Sequence, residues 1–318
     1  MEYVTKNRQT VENIENMVAR AFPGVKMERC VELTEGSFNV AYRVDLANKK
    51  ETILKIAPSK STLVMSCEKN IMFSEVDAIR MIKKNTSVPV PEILYYDNTK
   101  ELIDSEYFFM SVVEGDPFNK LENVLPQEKK DYISERIGKY DYEMNQLTNK
   151  VFGYYGQPDK QGDNWYIVFK SMLQGAFADA KKINMAMPLE EETVLSFLER
   201  DKAYFAEVTK PSFVHWDLWA GNVFVKDGEV NGIIDFERCV WADPLMEAGF
   251  RPHEKNEHFF KGYGIGQLTK AQQRRAKWYD IYLYMLMSME GEYRHYETDD
   301  FPKWGRSMLE KCLEEVKE

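Results

Sequence analysis

The stretch Phe213-Val214-His215-Trp216-Asp217-Leu218-Trp219-Ala220-Gly221-Asn222 sets a histidine, a carboxylate and an amide at the spacing His-x-Asp-x4-Asn. An apolar run follows, then Asp227-Gly228, then a second apolar run ending in Ile234-Asp235-Phe236-Glu237. Asp-Gly between two apolar runs signals a β-hairpin. Pairing Lys226 with Glu229 puts Asn222 opposite Ile233, with Asp235 two residues on, about 7 Å away along a strand rising ~3.3 Å per residue. Asn222 and Asp235 then share the open end of the hairpin, and Asp217 lies on the loop leading into it. Such a convergence suits a hard, oxygen-preferring cation such as Mg²⁺, which takes one or two carboxylates together with substrate phosphate oxygens. Singly, each residue reads as a polar cap on a turn; the spacing as a whole carries the chemistry.

An earlier strand holds a cation. Thr52-Ile53-Leu54-Lys55-Ile56 sets a lysine among apolar neighbours, and most such lysines snorkel to water from an edge. A helical pattern from about Ser66 to Lys84 offers this one a partner. Ile71, Glu75, Ile79 and Ile82 fall on one face, and a carboxylate on an apolar stripe is costly unless paired. Lys55 and Glu75 would satisfy each other, with Glu68 the rival partner.

Through these residues the chain resembles the aminoglycoside phosphotransferase and choline kinase family, bilobal relatives of the protein kinases, over about residues 33 to 250. The resemblance implies that Asp217 orients the substrate hydroxyl and accepts its proton, that Asn222 and Asp235 hold Mg²⁺, and that His215 braces the loop. Lys55, paired with Glu75, would touch the α- and β-phosphates of ATP or GTP. Leu33 to Val44 resembles the family's nucleotide-covering hairpin, in which Gly36 and Ser37 would let the backbone approach phosphate. Phe109 to Gly115 resembles the strand joining the lobes, whose backbone around Ser111 to Val113 would bond the purine; the same letters suit a core strand ending in a glycine turn. Trp216 stands where the family commonly has glycine, Glu237 where protein kinases have glycine, and Glu247 where the family's Asp-Pro motif has a second aspartate. Asp243 of that motif is expected to fix a loop.

Texture changes near residue 113. Before it, β-branched runs dominate (Asn39 to Leu46, Glu51 to Ile56, Tyr107 to Val113). After it come helical patterns over Gln127 to Asn145, Trp165 to Lys181, Glu190 to Val208, Lys270 to Met289 and Pro302 to Val316. Run order predicts an α+β chain. With the resemblance, this becomes a bilobal protein-kinase-like fold: a small β-rich nucleotide-binding lobe over 1–113 and a larger, mainly helical catalytic lobe over 114–318.

A 318-residue chain that is 44% apolar supplies a core, and its net charge of −10 argues against a nucleic-acid partner. Residues 1–113 hold 15 Lys/Arg against 16 Asp/Glu, and the remainder 27 against 36, which favours a cationic acceptor for the second part. Cys30, Cys67, Cys239 and Cys312 form no CxxC pair and read as reduced thiols. The longest apolar stretch, Ile281 to Met289, is far below the ~20 residues a bilayer needs, so no membrane partner and a cytoplasmic location are expected. Gly262-Tyr263-Gly264-Ile265-Gly266 reads as a connection before a helix capped by Thr269, and His253 with His258 as a poor zinc arrangement. The expected function is transfer of the γ-phosphate of ATP or GTP to a hydroxyl of a small cationic molecule such as an aminoglycoside. Choline, ethanolamine and fructosamine are alternatives, the last because Asp-Leu-Trp-x-Gly-Asn resembles the fructosamine kinases. A catalytically silent, nucleotide-binding regulatory module is the reading from another class; the joint presence of Lys55, Asp217, Asn222 and Asp235 speaks against it.

Overall fold

The computed structural model describes residues 3–251 and 256–317; His253 lies outside the described residues. Strands β1 (Met27–Leu33), β2 (Val40–Leu46), β3 (Glu51–Ile56), β4 (Ile93–Asp97) and β5 (Tyr107–Ser111) form one antiparallel sheet in the order β1-β2-β3-β5-β4. Val40, Tyr42, Val44 and Leu46 alternate inward along β2 and pack with Leu54 and Ile56 of β3. That alternation is the period-two signature of a half-buried strand. Helix α1 (Val11–Ala21) covers this face through Ile14, Met17 and Val18. Met72 and Val76 of α2 (Ile71–Asn85) pack with Phe108 and Met110 of β5.

The larger part is mainly helical: α3 (Phe118–Leu121), α4 (Gln127–Asn145), α5 (Trp165–Lys182), α6 (Glu191–Arg200), α7 (Lys202–Phe205), α8 (Glu257–Tyr263), α9 (Lys270–Arg294) and α10 (Asp300–Lys317). Two three-stranded sheets lie among these helices. One is β10-β9-β6, from β6 (Asp116–Pro117), β9 (Val223–Lys226) and β10 (Glu229–Ile233); the other is β7-β11-β8, from β7 (Gly153–Tyr154), β8 (Ser212–Val214) and β11 (Val240–Ala242). The expected α+β architecture, a β-rich first part and a larger helical remainder, is the one observed. Gly264 ends α8 in the left-handed conformation, and Thr269 with Gln272 forms a capping box at the start of α9, so the glycine run is a helix connection. Trp278, Tyr279, Tyr282, Tyr284 and Met285 of α9 are buried core residues. No helix among the described residues is long and apolar enough to cross a membrane.

Several boundaries differ from expectation, for tertiary reasons. The segment from Ser66 begins as a short 3-10 turn (Ser66–Glu68), and Asn70 in the left-handed region separates it from α2. The helix expected over Glu190 to Val208 breaks at Asp201, whose carboxylate accepts from Arg274 (2.6 Å) and from the Trp278 indole (2.9 Å). The hairpin pairs Lys226 with Glu229 as expected, then slips by one between Val230 and Gly232. Asn222 therefore sits opposite Ile234, whose N–H donates to its carbonyl (3.0 Å), and not opposite Ile233.

Strand β5 ends at Ser111, and the chain crosses to β6 through Gly115 at φ +103°. A Cβ at Gly115 would lie 2.3 Å from the Val225 carbonyl oxygen of the hairpin, so neither the conformation nor the space admits a side chain. Gly115→Ala is expected to cost about 2–4 kcal/mol, read from the urea midpoint; an unshifted midpoint would contradict this packing.

One buried carboxylate on α9 is compensated only by charges at a distance. Asp280 is 3% exposed and makes no side-chain hydrogen bond or ion pair among the described residues. Burial pushes its carboxyl up to about 6, against the pull of Arg251 and Lys277. A folded value above the unfolded ~3.9 means that the folded chain holds this proton more tightly, so the contribution to stability is present below about pH 4 and lost as pH rises through 6. Asp280→Asn should therefore stabilise the protein at pH 7.5 by about 2–3 kcal/mol and hardly at pH 4. Urea titrations at both pH values check this, and an equal gap at both would contradict it.

Candidate active site

Strand β8 delivers the chain to His215, which is fully buried. Its Nδ1 accepts from the Asp217 N–H (3.2 Å), so the ring proton sits on Nε2 and is donated to the Ile234 carbonyl (3.0 Å). One side chain thus ties the Asp217 loop to the end of the hairpin, the bracing expected of it. Trp216 adopts φ +67°, a left-handed conformation that costs a β-carbon-bearing residue roughly 1–2 kcal/mol. Its indole stacks on Tyr282 (5.4 Å between ring centres, 7° between planes), and Arg251 donates to its carbonyl (2.9 Å).

Glu247 supplies the remaining restraint. Its carboxylate, fully buried, accepts from the N–H groups of Trp216 (2.8 Å), Leu218 (3.0 Å) and Ala248 (2.8 Å). It therefore grips the backbone on both sides of Asp217. The sequence shows only an acidic residue in an Asp-Pro motif, so this function was not legible there. Asp243 accepts from Arg275 and from the Tyr279 hydroxyl, both at 2.7 Å, the contacts of a loop anchor.

The Asp217 carboxylate accepts from the Asn222 amide (3.2 Å), which also donates to the Asp217 carbonyl (2.8 Å). The Asn222 amide protons are spent in this way, and its Oδ1 is what it can offer a ligand. Burial pushes the Asp217 carboxyl up to about 6; Arg238 opposes that rise and Asp235 adds to it. Asp235, next to Ile234, stands at φ +70° and places its carboxylate 2.7 Å from the Lys55 ammonium. The expected pair of Lys55 with fully buried Glu75 is present, both carboxylate oxygens lying 2.7 Å away. The rival Glu68 turns elsewhere, to the Met65 N–H (2.9 Å) and Arg294 (2.7 Å).

A third carboxylate joins this cluster. Glu237 lies 3.9 Å from the Lys55 ammonium and accepts from the Asn39 amide (2.6 Å), and oxygens of Glu75, Asp235 and Glu237 lie within 4.8 Å of one another. Three acids thus surround one lysine. Burial pushes Glu75 up to about 7 and raises Glu237 well above the carboxylate range. Burial would raise Asp235 too, but Lys55 holds it below its ordinary value. Against the cost of its own burial, Lys55 is held well above the usual lysine range by Asp235 and Glu75. The crowding that holds protons on Glu75 and Glu237 would be relieved by a divalent cation among these oxygens, so the donor set fits one.

The remaining expected residues lie in the loop between β1 and β2 and at or just beyond the end of β5. Gly36 is exposed at φ +87°, a backbone conformation that favours glycine. The Ser37 hydroxyl accepts from Arg294 (2.6 Å), and the Ser37 carbonyl from the Thr5 hydroxyl (2.7 Å). Ser111 is less available than expected: its N–H donates to the Glu92 carbonyl and its Oγ accepts from the Glu92 N–H, both at 2.9 Å. Sheet pairing extends to that residue and takes up these groups. Val113 lies beyond the strand, and its peptide groups make no backbone hydrogen bond among the described residues. Its side chain packs where Gly232 leaves room, since a Cβ there would meet Val113 Cγ1 at 2.3 Å.

A family model described as the phosphotransferase enzyme family matches residues 29–278. A protein of Vibrio cholerae serotype O1 described as a probable ketoamine kinase is 25% identical over 257 residues, 76% of this chain and 80% of that protein. Among solved structures, a candidate fructosamine-3-kinase from Thermobifida fusca YX-ER1 superposes with a TM-score of 0.67 at 17% identity, covering 97% of this chain and 99% of the other. The GDP and kanamycin complex of APH(2")-IIIa gives 0.64 at 16% identity, with 94% and 98% covered.

Proposed function

This chain belongs to the phosphotransferase enzyme family, and from that premise we propose that it moves the γ-phosphate of ATP or GTP to a hydroxyl of a small cationic ketosamine. The observation that carries the reading is the meeting of Asp217, Asn222, Asp235 and the Glu75-paired Lys55 at the mouth of one hairpin. Lys55 binds the α- and β-phosphates, its position fixed by Glu75. Gly36 and Ser37 cover the phosphates, and the Val113 peptide holds the base. Asp217 accepts the proton of the acceptor hydroxyl as its oxygen bonds to the γ-phosphorus and the bond from that phosphorus to the β-phosphate oxygen breaks. Asn222 Oδ1 and Asp235 would hold Mg²⁺, with Glu237 in reach, and the ion would supply neutralisation of phosphate charge. Positioning and charge neutralisation are the main demands of this reaction. The division into a nucleotide lobe to residue 113 and an acceptor lobe beyond it belongs to the same reading.

Among the expected acceptors, the similarity to the ketoamine kinase and the run Asp217-Leu218-Trp219-Ala220-Gly221-Asn222 favour the ketosamine over an aminoglycoside, choline or ethanolamine. A screen of nucleotide consumption over these four classes, with Asp217→Ala as the blank, tests this. Turnover is expected with a ketosamine and absent from the blank. Turnover with an aminoglycoside or choline alone would reassign the acceptor. Tight nucleotide binding without turnover on any of them would favour the silent module.

A further inference from the structure

We infer that Arg294 is a positioning residue for the nucleotide loop, one that fixes the Ser37 hydroxyl so that its single proton is offered to a nucleotide phosphate. The inference rests on the nucleotide-binding part of the proposed function. Arg294 ends α9, in the helical part of the molecule, and is 4% exposed. Its Nη1 donates to Ser37 Oγ (2.6 Å), 257 residues away in the chain, and its guanidinium lies 5.3 Å over the Phe38 ring. Nη2 donates to Glu68 (2.7 Å) and lies 3.3 Å from Glu290, while Nε is buried without a partner. Glu290 in turn accepts from Arg238 (2.6 Å), whose charge favours the ionised form of Asp217.

Two arginines and two glutamates form a balanced buried cluster. Such clusters are weak stability devices, because apolar groups of similar volume often serve as well. What this one fixes is the loop. A serine hydroxyl has one proton to give and two lone pairs to fill. Arg294 fills one lone pair, and the Tyr296 hydroxyl lies 3.3 Å from the same oxygen. The Tyr296 hydroxyl has its own acceptor in Glu290 (3.1 Å), so at 3.3 Å its oxygen offers the Ser37 proton only a long contact, and donation by a cation polarises the O–H toward a stronger acceptor. An anionic oxygen is the ligand that completes this arrangement. Gly36, with nothing within 4 Å of where its Cβ would stand, leaves that flank of the loop open.

Titration with fluorescent adenine and guanine nucleotides and Mg²⁺ tests the coupling. Ser37→Ala and Arg294→Lys should each weaken binding about tenfold, and the double variant should be no weaker than Ser37→Ala alone. Glu68→Gln, which loosens Arg294 without removing it, should weaken binding about threefold only while Ser37 is present; it decides the matter if Arg294→Lys does not fold. Unchanged affinity in Ser37→Ala, or equal losses with and without Ser37, would overturn the inference. No nucleotide binding by the unaltered protein would overturn the functional reading and this inference with it, whereas intact binding blind to Ser37 would overturn this inference alone.

Discussion

Asp217→Ala should lower phosphoryl transfer by about 10²–10⁴-fold, the range expected for loss of a positioned general base, while nucleotide affinity changes by less than about threefold. The split follows from where Asp217 sits. Its carboxylate touches Asn222 and faces the open end of the hairpin, and it makes no contact with Lys55. Its loop does not depend on it, because His215 and Glu247 hold the backbone on either side. Asp217→Asn, which keeps the size and removes the base, should lose turnover to a similar degree. Steady-state turnover beside a nucleotide titration measures both quantities. Equal turnover in the variants would remove Asp217 from the chemistry.

Asp235→Ala should give the opposite pattern. Affinity for nucleotide in the presence of Mg²⁺ should fall by at least about tenfold, and its dependence on Mg²⁺ should disappear. Without divalent ion, the variant should bind nucleotide as well as the parent or better, since it removes a negative charge beside the phosphate site and frees Lys55. Titrations in Mg²⁺ and in a chelator separate the two terms. A variant that keeps its Mg²⁺ dependence would exclude Asp235 as a ligand.

The parts of this site that could be read from the chain are those where one residue constrains another through chemistry. A lysine in an apolar strand and a glutamate on an apolar helix face each demand a partner, so Lys55 and Glu75 could be matched across 20 residues. The Asp-Gly turn announced the hairpin, but not the slip at Asn231, which goes with a contact between Gly232 and Val113 that no local pattern marks. Glu247 was illegible for a related reason: its partners are backbone N–H groups, which every residue carries. Arg294 was hidden because its partners lie near the other end of the chain. Strand β1 carries no clear strand pattern because it is a half-exposed edge rich in charge, Met27-Glu28-Arg29-Cys30-Val31-Glu32-Leu33.

The central claim is that one hairpin mouth gathers a proton acceptor and the ligands of a divalent ion beside a lysine-held nucleotide. A crystal structure with Mn²⁺ in place of Mg²⁺ and a non-hydrolysable ATP analogue, with the ion located by its anomalous signal, tests it most directly. The account predicts the ion within about 2.0–2.3 Å of Asn222 Oδ1 and an Asp235 oxygen, Lys55 on the α- and β-phosphates, and Asp217 free and facing the γ-phosphate. An ion bound elsewhere, with Asn222 and Asp235 uncoordinated, would contradict it.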